Sequence, residues 1–324
     1  MKKHNIIAMA LTSLMALPVI AQDSTPAVGD ILQGINMFTP EEGDPAYKVK
    51  ANEKYGTQWG VDMAYGLWNT EKVSDVKRHN NLALLHAQLN QRLIEDKANG
   101  GTWLRVEFSG SWGLDRESAQ SDTFFTEAYA TASGLHADAM GPHEGIFPEV
   151  ALMQYFAGKR ACLIAGMVNL TNYFDAVSIA NDSFSSFTND GFVNSTILPL
   201  VDSNIGGILQ VELNRNNYMM VAVSRTGCYS GYNPFNSDYC DGYAVVGEYG
   251  HIFADGAATL RINPFYTSTD VDMDDGTGER RRQNAGLVAS IEYTPCDPLT
   301  IYSRAGFAAK QYFCLLYTSP SPRD

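Results

Sequence analysis

This 324-residue sequence offers no stretch beyond its N-terminal segment with the roughly 18 uncharged apolar residues that a membrane-crossing helix needs. The best, Tyr155 to Leu170, is interrupted by Lys159 and Arg160. Basic residues are scarce too: 23 Lys and Arg stand against 36 Asp and Glu, a formal charge of -13. Neutralising nucleic-acid phosphates takes clustered Lys and Arg, so no nucleic-acid partner is expected. Enzyme signatures are also lacking. There is no Gly-x-Ser-x-Gly elbow, no phosphate-binding Gly-x-x-x-x-Gly-Lys, no Cys-x-x-Cys, and His143-Glu144 is followed by Phe147 where a zinc motif needs a second His. The acidic run Asp270 to Gly276 has its Gly one position too late for a calcium loop. No catalytic residue, metal or cofactor is expected.

What is present excludes disorder: 45% of residues are apolar, with 17 Tyr and 28 Gly. The pattern is a two-residue period. In Thr102 to Trp112, Leu104, Val106, Phe108 and Trp112 alternate with Arg105, Glu107, Ser109 and Ser111. Leu82 to Leu93, Ile205 to Asn214, Ala258 to Asn263 and Asn284 to Tyr293 alternate likewise. Further strands are expected in Gln58 to Trp68, Glu149 to Ala157, Arg160 to Val168, Tyr218 to Thr226, Gly242 to Phe253 and Leu299 to Phe307, about eleven in all. Ala157-Gly158-Lys159, Arg215-Asn216-Asn217 and Ala254-Asp255-Gly256 fit tight hairpins. Arg116 to Phe147, Asn169 to Asn204, Gly227 to Asp241 and Ser268 to Gln283 are long and polar.

Short turns alternating with long loops are how outer-membrane barrels join their strands. A soluble sandwich also alternates apolar with polar residues, so aromatic placement carries the choice. Trp59, Trp68, Trp103, Trp112, Tyr218, Tyr293 and Phe307 lie near strand ends, where amphipathic rings suit the headgroup zones. The expected fold is therefore all-β, a transmembrane antiparallel β-barrel of the outer membrane. Lys2, Lys3 and His4 before the apolar run Ile6 to Ile20 read as a signal for export through the Sec route, with maturation after Ala21. Residues 22–56 read as a periplasmic lead-in and 57–313 as a partial barrel. Residues 314–324, from Cys314 on, resemble the translation of a transposase-type sequencing adapter and are set aside.

The segment Gly166 to Pro199 contains Asn172-Tyr173-Phe174-Asp175, Ala180-Asn181-Asp182, Phe187-Thr188-Asn189 and Phe192-Val193-Asn194. These blocks, in this order, resemble the carbohydrate-selective porin family of the OprB type, most closely over Glu149 to Thr226. Met167 and Asn169 depart from the family's basic residue and Asp. The resemblance implies about sixteen strands, the last of which lie beyond Phe313, so the fragment by itself is expected not to insert as a sealed pore. It further implies passive diffusion of carbohydrates, with sugars as solutes, outer-membrane lipid as surroundings and the barrel-assembly machinery as a partner.

Sugar passage needs hydrogen-bonding groups of mixed sign along the lumen. The alternation points Arg105, Glu107, Gln210, Glu212, Arg261 and Glu292 inward, along with Asn214, Asn263 and Arg304. The loop of about thirty residues after Asn169 is too long for a bare connector. It is expected to narrow the pore, Tyr173 and Phe174 offering flat faces to sugar rings while Asp175, Asn181, Asp182 and Asn189 bind hydroxyls. Phe187 and Phe192 read as anchors against the wall. Cys228 and Cys240 bracket a loop that a disulfide would staple in an oxidising compartment. Two other functions share this composition: a barrel hydrolase acting on lipids and a secreted carbohydrate-binding sandwich.

Overall fold

The computed structural model describes residues 45–69, 79–114, 143–178, 194–195, 197–201, 203–226, 242–253, 256–272, 280–296 and 299–309. Helix α1 (Ala46–Tyr55) leads into β1 (Thr57–Asn69), β2 (His79–Ile94), β3 (Thr102–Gly113), β4 (His143–Phe156), β5 (Ala161–Val168), β6 (Asn204–Asn214), β7 (Asn217–Thr226), β8 (Gly242–Phe253), β9 (Ala258–Asp272), β10 (Arg280–Cys296) and β11 (Leu299–Ala308). The strands form one sheet of eleven, each paired with its sequence neighbours in the order β1 to β11. Every pairing is antiparallel. Among the described residues β1 and β11 each have a partner on one side only.

Strands occupy the expected segments but run further. β4 begins at His143 instead of Glu149, β9 continues to Asp272 and β10 starts at Arg280. Ladder pairing with the neighbouring strand carries them on, Arg280–Arg282 of β10 lying opposite Asp270–Asp272 of β9. Helix α1 was not expected; its side chains show no amphipathic stripe, and none of its residues is buried.

The short connections fall on one rim. At 157–160, Ala157, Gly158 and Lys159 have φ of 53°, 67° and 69°, a left-handed run that reverses the chain in the least length. At 214–217 the Asn214 side chain accepts from the Asn216 backbone N–H at 3.0 Å and from the Asn217 amide at 2.7 Å. At 95–101 the Asp96 carboxylate accepts from the backbone N–H groups of Ala98 and Asn99 at 3.0 and 3.1 Å. The opposite strand ends, among them Val168 of β5 and Asn204 of β6, fall on the other rim.

The two faces differ as the period requires. Met63, Leu89, Leu152, Leu163, Val221, Val223, Leu287 and Ile301 lie on one face, from 38% to 80% exposed. On the other, Arg105, Glu107, Glu149, Gln210, Glu248, Arg261 and Glu292 are buried, alongside Met153, Ile164, Ile208, Val246 and Phe265. That second face is curled inward. Asn172 binds Glu107 of β3 at 2.7 Å, and Asp175 binds Arg304 of β11 at 2.9 Å. In a flat sheet those strands, eight steps apart, lie about 38 Å from each other at roughly 4.8 Å per step. Three residues of chain reach no more than about 11 Å. The sheet therefore wraps around the segment that follows β5.

One close approach inside this trough requires glycine. Tyr218 of β7 sits directly opposite Gly250 of β8, and a Cβ at Gly250 would overlap the Tyr218 ring. Tyr218 was expected in an aromatic belt; it points inward, 1% exposed, and donates to Glu248 at 2.7 Å. Its alternation register decides this, because Met219 and Val221 take the outer positions. Gly250→Val will eject the ring and leave Glu248 short of a donor, a loss of about 2–4 kcal/mol from overpacking plus one charged hydrogen bond. Thermal unfolding in detergent measures it.

Candidate functional site

Beyond β5 the chain turns inward through a short helical turn, Leu170–Asn172, begun by Asn169, whose side chain accepts from the Thr171 N–H at 3.1 Å. The apolar residues of this segment are what hold it inside. Leu170, Phe174 and Val177 are fully buried, and Tyr173 and Leu198 nearly so. Leu170, Tyr173, Phe174 and Leu198 join one core with Ile164 and Val168 of β5, Ile208 of β6, Ala222 of β7, Val246 of β8, Phe265 of β9 and Val288 of β10.

This corrects the expected role of Tyr173 and Phe174. Their rings pack against the barrel wall, so neither presents a face to solute; Phe174 is 0% exposed and Tyr173 5%. Phe174 is the anchor that Phe187 and Phe192 were expected to be. Those two, with Asn181, Asp182 and Asn189, lie outside the described residues, as do Cys228 and Cys240. Cys162 is buried and unpaired, and Cys296 exposed and unpaired.

The segment's polar groups meet the wall in two clusters. In the first, Glu107 and Glu149 stand directly opposite each other on β3 and β4, an arrangement that repels. Several donors offset it. Arg105 lies 3.2 Å from Glu149, and the Asn172 amide donates to Glu107 at 2.7 Å and to Glu149 at 3.1 Å. The Tyr173 hydroxyl donates to Glu149 at 2.5 Å, and His86 meets Glu107 at 2.6 Å. Arg105 also stacks over the Tyr173 ring, 5.7 Å from its centroid. The Gln88 amide oxygen accepts from the same guanidinium.

The second cluster centres on Asp175, whose φ of 56° is one that Asp tolerates better than most residues. Its backbone N–H donates to Glu248 at 2.8 Å; its carboxylate accepts from the Ser195 N–H at 2.7 Å and from Arg304 at 2.9 Å. Asn263 donates to Glu248 at 2.7 Å. Arg261 pairs with Glu292 at 3.2 Å, and Glu292 also accepts from the Ser178 N–H at 3.2 Å and from its hydroxyl. Burial pushes the Asp175 carboxyl above its ordinary value, with Glu248 adding to the push, while Arg304 and the Ser195 N–H pull it down. A raised acid takes its proton more readily folded than unfolded. Its contribution to stability is therefore full in acid and lost as pH rises through the raised value, and at neutral pH Arg304 must offset the buried charge.

The residues expected to line the pore do point inward, but the structure corrects their exposure. Arg105, Glu107, Gln210, Arg261 and Glu292 are 1–8% exposed, covered by the inward segment and by one another. Glu212, near the rim of short turns, stays partly open. Sequence reading missed Glu149, Glu248, Asn172 and His86. Glu149 was legible, since it shares the register of Ala151 and Met153; the others gain meaning only from partners up to 73 residues away.

No family model matches the chain. A short stretch of 68 residues, 20% of the chain, is 37% identical to an uncharacterised protein of Aquifex aeolicus, of which it covers 22%. The high-pH structure of Pseudomonas putida OprB superposes over 77% of this chain with a TM-score of 0.54 and 12% identity. The match spans 64% of that porin's length. A mutant porin of Rh. blastica aligns with a TM-score of only 0.22 at 11% identity. The fold is that of a porin-type antiparallel β-barrel, its sheet open between β1 and β11 among the described residues.

Proposed function

We propose that the chain is the larger part of an outer-membrane porin through which sugars and similar neutral polar solutes diffuse passively. The observation that carries this reading is that the same strands expose apolar side chains outward and gather charged and amide groups of both signs inward. Lipid suits the first face, and a water-filled passage suits the second. The inner face carries both signs, where a phosphate pore would gather Arg and Lys alone, and Glu212 is an expected lining residue that stays partly open to a solute. Arg105, Arg261 and Arg304 pair with Glu149, Glu292 and Asp175, and the further carboxylates Glu107, Glu212 and Glu248 leave the inner face acidic, which disfavours phosphate.

In this reading residues 1–21 direct export, 22–56 precede the barrel on its periplasmic side, and barrel-assembly machinery inserts the chain among outer-membrane lipids. The described part of the segment after β5, residues 169–178 and 197–201, narrows the lumen from one side, and solute passes beside it. No covalent step is involved. The test is conductance of the product of the complete reading frame in planar bilayers. Mono- and disaccharides will lower the current saturably. Block by phosphate without block by sugars would refute the selectivity, and a protein monodisperse in water without detergent would refute the membrane barrel.

A further inference from the structure

The outer surface of β1–β3 carries a feature that passage of solute does not use. Trp59 of β1, Leu89 of β2 and Val106 of β3 form one outward row, and Val61, Ala87 and Phe108 the next. Ala87 is small between large neighbours, and these side chains enclose a shallow apolar cavity of about 160 Å³. At its head lies α1. The Lys48 ammonium stands 5.0 Å above the Trp59 ring, and Tyr47 stacks on the same ring at 6.2 Å.

The helix is held there. The Gln58 amide donates to Asn52 at 3.2 Å, the Gln91 amide to the Tyr55 carbonyl at 2.9 Å, and the Arg92 N–H to the Gly56 carbonyl at 2.9 Å. In a chain of net charge -13, α1 bears Lys48, Lys50 and Lys54 against Glu53. Tyr47 and Tyr55 are 61% and 58% exposed. Long basic stems with aromatic rings at the edge of an apolar surface are the chemistry of a headgroup zone.

From this placement we infer that β1–β3 and α1 form a binding site for one anionic glycerophospholipid. An acyl chain fills the groove over Ala87, and the phosphate sits at Lys48. The site lies at the rim of short turns, the periplasmic side in the barrel reading, where the leaflet is phospholipid; the inference rests on that reading. Charge complementarity selects an anionic headgroup, and the single groove limits the site to one molecule.

The test is native mass spectrometry of the detergent-solubilised product of the complete reading frame, titrated with phosphatidylglycerol and, separately, phosphatidylcholine. The wild type will retain one phosphatidylglycerol in preference to phosphatidylcholine. Lys48→Gln will weaken phosphatidylglycerol about fivefold, the factor that ~1 kcal/mol per basic residue near an anionic surface gives, and leave phosphatidylcholine unchanged. Ala87→Phe will fill the groove and reduce both. Equal retention of the two lipids, or unchanged phosphatidylglycerol binding in Lys48→Gln, overturns the site. Flotation with vesicles separates the readings: variants that float yet bind phosphatidylglycerol as the wild type does overturn the site alone, whereas a wild type that fails to float overturns barrel and site together.

Discussion

Arg105→Met will abolish the heat-modifiable form of the complete protein on detergent gels, the largest loss expected from any single change in the wall. The guanidinium is 2% exposed and its partner Glu149 0% exposed, with Glu107 directly across the strands. Removing the cation leaves two carboxylates facing one another inside, and breaking a buried pair in this way costs about 3–5 kcal/mol. The Tyr173 ring also loses the cation above it. Adding Glu149→Gln to the same protein will recover most of the loss, because the uncompensated charge goes with it. A single variant as heat-resistant as the parent would mean that water reaches Glu149 and that the wall is looser than the geometry describes.

Phe174→Ala will raise and destabilise the single-channel current of the complete protein. Phe174 is fully buried where the inward segment meets Ile208, Val246 and Phe265. Truncating such a ring costs about 3–5 kcal/mol, which falls on the attachment of the loop more than on the strand ladder. The segment then leans into and out of the lumen, so conductance becomes larger and noisier while the strand ladder stays intact. Unchanged conductance would show that the segment does not border the passage.

The sequence reading and the structure agree where the two-residue period is strong and part where it competes with something else. Arg105, Glu107, Arg261 and Glu292 were placed on the inner face by alternation alone, and they are there. Their burial was not legible, because it depends on a segment arriving from beyond β5. Tyr173 and Phe174 show the same gap. Aromatic rings in a polar loop read as solute platforms until the apolar inner positions Ile164, Ile208 and Phe265 are seen to make a core for them. Alternation assigns a residue to a face, and what covers that face is a property of contacts distant in sequence.

The sequence by itself determined the antiparallel meander, the division into an oily and a charged side, the rim of short turns and the net acidity. All of these are local, set by side-chain period, turn chemistry and composition. Only the tertiary structure decided that the sheet curls around residues 169–178, that Asp175 joins Glu248 of β8 to Arg304 of β11, and that the opposed Glu107 and Glu149 are tolerable. Those depend on groups brought within hydrogen-bond reach across as many as 129 residues of chain, a separation that no local pattern records.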